Sequence, residues 1–277
     1  MMLKALFSAA RDITSEDARA YMRAHRPEEF TLLDVRQPGE YERAHIPGAR
    51  LIPLPQLSDR LDELERDKPV IAYCAVGGRS RAAAEMLKGR GFEEVYSLKG
   101  GIKAWDGLTA AGPVEQGLGL VSGREDREHL LIIALGLEQG LAAFYRQAGP
   151  LAREPLASEL CGRLAQVEDK HQERVYALYR EGGGDLERPV LEERVSALVM
   201  EGGEEVGPAL ARLFPQGYGR LELLETAMGI EAQALDLYLR MTEKVREGQA
   251  RQALYDLAQD EKAHLAMLGG LLEGAPA

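Results

Sequence analysis

The chain has few of the residues that build small secreted or membrane proteins. Among its 277 residues are only two cysteines, Cys74 and Cys161, and one tryptophan. Two cysteines do not indicate a disulfide framework. No stretch is apolar for long enough to span a bilayer, and residues 1–10 lack the cleavage pattern of a signal peptide. We therefore expect a soluble protein of the reducing cytoplasm with no membrane partner.

Excess positive charge is also missing. The sequence contains 34 Lys and Arg against 45 Asp and Glu, a net charge of −11, and no basic run interrupts this balance. A nucleic-acid surface usually shows a basic patch, so we expect no nucleic-acid partner. The hydrophobic content of 45% is enough for ordinary cores. The length predicts one or two domains.

The second half of the chain contains an internal repeat. Residues 164–171 read LAQVEDKH and residues 257–264 read LAQDEKAH, with five of the eight letters identical in place and an offset of 93 residues (264 − 171). The same offset relates four upstream residues, Ala134, Gly136, Glu138 and Tyr145, to Ala227, Gly229, Glu231 and Tyr238. A repeat of this kind indicates two copies of one structural unit.

Each copy carries a single Glu and then, thirty residues later (168 − 138 and 261 − 231), the motif Glu-x-x-His. Residues i and i+3 share one face of a helix, so each motif presents a carboxylate beside an imidazole. One such motif alone is often a surface ion pair. Two copies, each preceded by its own Glu, are typical of the di-iron or di-manganese site of ferritin-like four-helix bundles. The predicted metal ligands are Glu138, Glu168, His171, Glu231, Glu261 and His264.

The first half alternates strand-like and helix-like segments. Strands are predicted at Phe30–Val35, Arg50–Pro53, Pro69–Tyr73 and Glu94–Leu98, and helices at Thr14–His25, Gln56–Glu65 and Ser80–Gly89. This alternation predicts an α/β domain with a mainly parallel sheet. Chemistry in such domains lies at the carboxyl ends of the strands.

Cys74 stands at one of those strand ends and opens the sequence CAVGGRS. Gly77 and Gly78 let the loop curl so that backbone N–H groups point inward, and the following helix adds its positive N-terminal end. Arg79 supplies a guanidinium nearby. These features favour a thiolate and an anionic adduct on Cys74. The plain alternative is a buried thiol at the end of a strand.

Over residues 10–112 the sequence resembles the rhodanese family. The motifs are Asp34–Arg36, Glu40–Tyr41, His45–Ala49, Cys74–Ser80 and Leu98–Trp105. The resemblance implies a single-domain rhodanese fold, with Cys74 as the sulfur-carrying nucleophile and Arg79 as the residue that stabilises an anion or persulfide. Four residues separate Cys74 from Arg79, as in the sulfur-handling branch; related phosphatases have one more. The implied substrate-binding residues are Ala75, Val76, Gly77, Gly78, Arg79 and Ser80.

Over residues 124–273 the sequence resembles the rubrerythrin group of the ferritin-like superfamily. The resemblance rests on the two lone glutamates, their following tyrosines and the two Glu-x-x-His motifs. It implies an all-α four-helix bundle with one long crossover that holds two Fe ions, with Mn or Zn as alternatives. Two features depart from the family. The four-cysteine rubredoxin module is absent from this chain, and Met228 stands where rubrerythrins have an extra Glu, so the resemblance alone does not imply peroxide reduction of the rubrerythrin type.

We expect two domains, residues 1–112 and 124–277, joined by a glycine-rich linker at residues 113–123. The four bundle helices are predicted at Arg124–Gln147, Leu151–Arg180, Arg220–Glu247 and Gln249–Leu272, and the crossover has shorter helical stretches at Leu191–Met200 and Glu204–Phe214.

The leading hypothesis is a sulfurtransferase joined to a redox-active dimetal bundle. It requires a small sulfur donor, a thiol acceptor and an electron-donor protein, and it leaves a homodimer open. The alternative is an iron-binding or iron-sensing protein whose rhodanese domain docks partners or relays sulfur. A third hypothesis is a scaffold with a vestigial metal site. In the bundle, Tyr145 and Tyr238 are either hydrogen-bond partners of the ligands or core residues, and Cys161 is a small buried residue.

Overall fold

The computed structural model describes residues 10–194, 200, 204–272 and 274. The chain forms two compact units, Met1–Val114 and Glu115–Ala277. Within the described residues no helix is both long and apolar enough to cross a membrane.

The first unit is built on a five-stranded sheet in which every strand pairing is parallel. The strands lie in the order β1-β5-β4-β2-β3. They are β1 (Arg11–Ile13), β2 (Thr31–Asp34), β3 (Arg50–Leu51), β4 (Val70–Tyr73) and β5 (Val95–Leu98), and the helices are α1 (Ser15–Ala24), α2 (Pro38–Arg43) and α3 (Gly78–Gly89). The predicted α/β class with a parallel sheet is confirmed.

The central strand β4 shows why this sheet forms. All four of its residues are buried, as expected of a strand covered on both faces. Val70 and Ala72 belong to one hydrophobic cluster, and Ile71 and Tyr73 belong to another. The period-2 alternation of side chains therefore divides one short apolar run between the two cores.

Three elements of this unit differ from the sequence-based prediction. The segment Gln56–Glu65 is not an α-helix but part of two 3₁₀ turns, Leu54–Asp59 and Leu61–Glu63. Its leucines have helical spacing, but the chain leaves helical geometry at Arg60, where φ is −119° and ψ is 22°. Strand β1 was not predicted because only Ile13 in it is buried. Helix α2 was not predicted because it has only six residues.

The second unit is a bundle of four long helices: α4 (Arg127–Ala148), α5 (Pro155–Glu181), α8 (Arg220–Lys244) and α9 (Gly248–Leu272). Helix α4 packs mainly on α5, and α8 packs mainly on α9. The long crossover between α5 and α8 contains α6 (Arg188–Arg194) and α7 (Val206–Leu213). The predicted bundle with one crossover is confirmed. Residues 195–199 of the predicted stretch Leu191–Met200 lie outside the described residues.

The segment before α4 is bound to the bundle. We call residues 115–121 the strap. Arg240 on α8 donates from Nη1 to the Gln116 carbonyl at 2.6 Å, and Lys244 donates from Nζ to the carbonyls of Leu118, at 2.7 Å, and Val121. Leu118 and Leu120 pack against the bundle core. Most of the region predicted as a linker therefore has fixed contacts with α8.

Gly101 packs against the backbone of Cys74 at the carboxyl end of the sheet, and replacing it tests this close approach. It follows β5 with φ of +61°, and a Cβ placed there would lie 2.2 Å from the Cys74 carbonyl oxygen. The next residue, Ile102, donates its N–H to that same oxygen at 2.8 Å. We expect Gly101→Ala to lower the free energy of unfolding of the first unit by about 2–4 kcal/mol, since both the backbone strain and the clash must be relieved.

Chemical denaturation followed by tryptophan fluorescence measures this effect, because the single tryptophan, Trp105, lies in the first unit. The matched control is Gly89→Ala at the end of α3, where an added Cβ meets nothing within 4 Å. Equal midpoints for the two variants would contradict the role given to Gly101.

Candidate functional site

Cys74 lies at the carboxyl end of the central strand β4 and is buried, with 1% of its surface exposed. The chain turns at Gly77, which has φ of +104°, and helix α3 starts at Gly78. The Gly77 N–H donates to Cys74 Sγ at 3.1 Å. The thiol therefore sits inside the curled loop, at the positive end of α3.

Burial alone would raise the pKa of the Cys74 thiol. Hydrogen bonds from the Ser80 N–H and hydroxyl, and from the N–H groups of Val76 and Gly77, outweigh it and hold the pKa below its usual value. The Ser80 hydroxyl also lies 3.0 Å from the Gly77 carbonyl and 2.9 Å from the Ser97 hydroxyl. The environment thus favours a thiolate, as a nucleophilic cysteine requires.

Arg79 is paired with a residue from another helix. Its Nη1 and Nη2 atoms donate to the two carboxylate oxygens of Glu40, on α2, at 2.7 and 2.6 Å. These hydrogen bonds lower the pKa of Glu40 to about 2. The pKa of Arg79 is raised, first by Glu40 and further by Cys74. Arg79 therefore lies where it can act on Cys74, but as half of a bidentate ion pair.

Glu40 belongs to one of the rhodanese-like motifs of the sequence, but the sequence alone assigns it no role. Its partner Arg79 is 39 residues away in the chain, so no local spacing indicates the pair. An implied anion site also predicts positively charged neighbours, whereas the Glu40 carboxylate is negative. Only the folded structure brings α2 and the loop together.

A buried polar cluster supports the chain around α2. Arg36 donates to both Asp34 oxygens at 2.6–2.9 Å and to the Ala44 carbonyl at 2.7 Å. His45 is fully buried, stacks on Tyr41 at 3.6 Å between ring centroids, and has Nδ1 2.9 Å from the Tyr41 carbonyl. These contacts give Asp34, Arg36 and His45 structural roles beside the helix that carries Glu40.

The second candidate site lies inside the bundle, where each long helix contributes one carboxylate. Glu138 comes from α4, Glu168 from α5, Glu231 from α8 and Glu261 from α9. Their exposed fractions are only 1–3%. His171 and His264 lie one turn beyond the glutamates of α5 and α9.

The six predicted ligands form two triads that correspond to the two sequence repeats. Glu138, Glu168 and His171 form one triad, and Glu231, Glu261 and His264 form the other; within each, the ligand atoms lie within 4.8 Å of one another. The two imidazole rings stack, with 3.7 Å between centroids and an angle of 8° between planes. The structure therefore brings all six residues together.

Within the triads, the imidazole nitrogens lie close to the carboxylates. His171 Nδ1 lies 2.8 Å from Glu168 and 3.5 Å from Glu138. His264 Nδ1 lies 3.3 Å from Glu261 and 3.4 Å from Glu231. Burial raises the pKa of Glu168, and the charge of Glu231 acts in the same direction.

The donor set and its burial fit a pair of metal ions. Four buried carboxylates are costly unless cations neutralise them, and two imidazoles supply too little positive charge. Two carboxylates and one imidazole per ion suit Fe or Mn, and Zn can bind similar ligands. The arrangement can therefore hold two divalent cations next to each other.

The remaining predicted bundle residues lie in the core. Tyr145 and Tyr238 are buried, each in a hydrophobic cluster. Cys161 donates from Sγ to the Tyr145 carbonyl at 3.0 Å, and burial raises the pKa of its thiol. The two cysteines of the chain therefore have opposite tendencies to ionise.

Comparison with known proteins finds a match for each of the two units. The Rhodanese-like domain profile matches residues 15–108, and the Rubrerythrin profile matches residues 130–272. Similar proteins include the uncharacterized protein YqhL of Bacillus subtilis, 47% identical over 36% of this chain and 75% of that protein. Thiosulfate sulfurtransferase GlpE of Pseudoalteromonas translucida is 38% identical, over 28% of this chain and 75% of that enzyme. GlpE of Pseudomonas syringae is 38% identical, over 30% of this chain and 77% of that enzyme.

These relatives correspond to only about a third of the chain, whereas the Rubrerythrin match extends over more than half of it. At the family level, the rhodanese-like domain supports a sulfurtransferase-type enzyme, and the rubrerythrin domain implies a dimetal site, usually of iron. The chain belongs to the rubrerythrin family and carries a rhodanese-like domain ahead of its rubrerythrin domain.

Proposed function

We propose that the chain is an enzyme with two active modules, a sulfurtransferase centred on Cys74 and a dimetal redox site in the bundle. The observation that supports the first activity is a buried thiol that accepts a hydrogen bond from the Gly77 N–H inside a curled loop and has a lowered pKa. The observation that supports the second is the pair of buried triads.

Sulfur transfer proceeds in two nucleophilic steps. The Cys74 thiolate attacks the outer sulfur of a donor such as thiosulfate; a new S–S bond forms, the donor's S–S bond breaks, and sulfite leaves with the bonding electrons. An acceptor, cyanide in an assay or a thiol in a cell, then attacks the outer sulfur of the Cys74 persulfide. The second cleavage regenerates the Cys74 thiolate.

The loop stabilises both anionic forms of Cys74. The Gly77 N–H already donates to the sulfur at 3.1 Å, and the N–H groups of Val76 and Ser80 also lower the pKa of the thiol, so donors for the thiolate and the persulfide are in place beforehand. The Ser80 hydroxyl adds a fourth donor when it turns toward the sulfur. These donors act in a buried site, where water does not weaken them.

In the bundle, Glu138, Glu168 and His171 would hold one iron, and the second triad would hold the other. By resemblance, Glu168 and Glu261 would each help to hold both ions, with Mn or Zn as alternative metals. Bound iron would supply one-electron chemistry toward oxygen, peroxide or a sulfur species, with electrons from a donor protein. The apolar core around the triads limits access of water to the ligands.

Replacing Cys74 tests the first activity. We expect Cys74→Ser to lower thiosulfate:cyanide sulfur transfer by roughly 10³-fold or more, because the nucleophile is lost. The product, thiocyanate, is measured directly. Cys161→Ser is the matched control and keeps its activity, since Cys161 is buried in the other unit. Unchanged turnover in Cys74→Ser would reject Cys74 as the nucleophile.

The pH dependence of Cys74 reactivity tests the hydrogen bonds around it. The thiolate is the reacting form, so the rate of alkylation by iodoacetamide rises with pH through the pKa of Cys74. An ordinary cysteine has its midpoint near pH 8.5. Because the pKa of Cys74 is lowered, we expect its midpoint at a lower pH than that. In Ser80→Ala one stabilising donor is lost, so the midpoint moves to higher pH. Ser58→Ala, at an exposed site, leaves it in place; a midpoint unmoved in Ser80→Ala would contradict the role of the hydroxyl.

Metal content tests the second module. We expect about two iron or manganese ions per chain by elemental mass spectrometry, as the two-ion ligand set implies, and their loss in the double variant Glu168→Ala/Glu261→Ala. The control is Glu159→Gln, an exposed carboxylate on the same helix α5. Protein that remains metal-free even after reconstitution with iron would leave the bundle as a scaffold.

A redox measurement separates the enzyme from an iron-binding or iron-sensing protein. The metal-loaded protein is chemically reduced and mixed with oxygen or peroxide in the presence of a reductant. We expect consumption of many equivalents per chain. Consumption that stops after one equivalent would support the binding or sensing alternative.

A further inference from the structure

Arg79, the positively charged side chain of the loop at residues 74–80, is already paired with a carboxylate. Both terminal nitrogens of Arg79 are engaged by the two oxygens of Glu40, at 2.7 and 2.6 Å. Bidentate pairs of this geometry are among the stronger ion pairs, and they fix the orientation of the guanidinium. The pair has no net charge.

The neighbouring arginines follow the same pattern. Arg36 is paired with Asp34, and Arg81, on α3, is paired with Asp12. A doubly charged donor such as thiosulfate therefore finds each of these three arginines already paired with a carboxylate. To use Arg79 as its anchor, the sulfonate group must displace the Glu40 carboxylate.

The rim of the loop offers an apolar contact instead. The Val76 side chain is 61% exposed, although it lies only two residues from the buried Cys74. Gly77 and Gly78 beside it have no side chains that would limit access. A donor whose outer sulfur is carried on a carbon stem can place the sulfur against Cys74 and the stem against Val76.

We propose that the preferred sulfur donor at Cys74 is an organic persulfide rather than thiosulfate, and that Glu40 sets this preference by occupying Arg79. This inference rests on the proposed sulfur-transfer function. The Cys74 thiolate attacks the outer sulfur of R–S–SH and forms a new S–S bond. The original S–S bond breaks, and the thiolate R–S⁻ leaves with the electron pair while the proton passes to solvent.

Steady-state kinetics with two donors test the proposal on the full chain. Cyanide is the acceptor, and the donors are thiosulfate and the persulfide of N-acetylcysteine methyl ester, whose stem carries no charge. We expect the unmodified chain to have the higher kcat/KM with the persulfide. In Glu40→Gln, kcat/KM for thiosulfate rises roughly fivefold, mainly through a lower KM, because one negative charge beside a partly exposed site is removed. The value for the persulfide changes less than about twofold, since its stem does not use Arg79.

Two controls separate charge from structure. Glu42→Gln removes the same charge from an exposed position of the same helix α2 and leaves both donors unchanged. Glu40→Asp keeps the carboxylate and stays close to the unmodified chain. In Glu40→Gln the gain with thiosulfate also falls as salt is added, because it is electrostatic. Equal loss with both donors in Glu40→Gln, or a preference of the unmodified chain for thiosulfate, would overturn the proposal.

Alkylation of Cys74 gives a readout that does not require turnover. The ratio of the rates with anionic iodoacetate and neutral iodoacetamide reports the local potential at the thiolate, read on the Cys74 peptide by mass spectrometry. We expect this ratio to rise in Glu40→Gln and not in Glu42→Gln; an unchanged ratio would refute the screening of Arg79. A chain that transfers sulfur from neither donor refutes the proposed function and the donor preference together, whereas sulfur transfer with no effect of Glu40 refutes the preference alone.

Discussion

Four carboxylates buried in one apolar interior constrain the whole second half of the chain. Each isolated buried charge costs several kcal/mol in a protein interior, and removing only one partner leaves the others worse compensated. Two histidines face four glutamates, so cations bound by the triads would balance the remaining negative charge. The duplicated sequence meets this requirement in the simplest way, because each copy supplies half of the ligands. The long crossover then lets the second helix pair lie against the first with the triads face to face.

The α/β domain stabilises a buried anion by other means. Cys74 receives hydrogen bonds from the backbone of its own loop and from Ser80, and Arg79, the loop's arginine, is matched by Glu40. Backbone dipoles suit a single thiolate, because they need no counter-ion and stay in place when the sulfur reacts. The same chain therefore contains two buried anionic sites, one suited to metal ions and one stabilised mainly by N–H groups.

What could be predicted from sequence follows the strength of the local signal. Strand β4 and the four long helices were predictable because long or regular apolar patterns define them, and the two clusters of Glu and His were predictable because the repeat encodes them twice. Strand β1 has one buried residue, Ile13, which is too few to form a pattern. The leucines of Gln56–Glu65 have helical spacing, yet two short turns around Arg60 bury them equally well. Glu40 meets Arg79 only through the tertiary fold.

The strap has a further consequence for how this bundle is inherited. Its contacts with Arg240 and Lys244 use backbone carbonyls of Gln116, Leu118 and Val121, which any sequence can supply, so the glycine-rich segment itself carries no recognisable signal. The sequence signal of this contact therefore lies in the two basic side chains at the end of α8. A domain boundary that keeps these contacts lies upstream of residue 115, so the inherited unit is longer than its four helices.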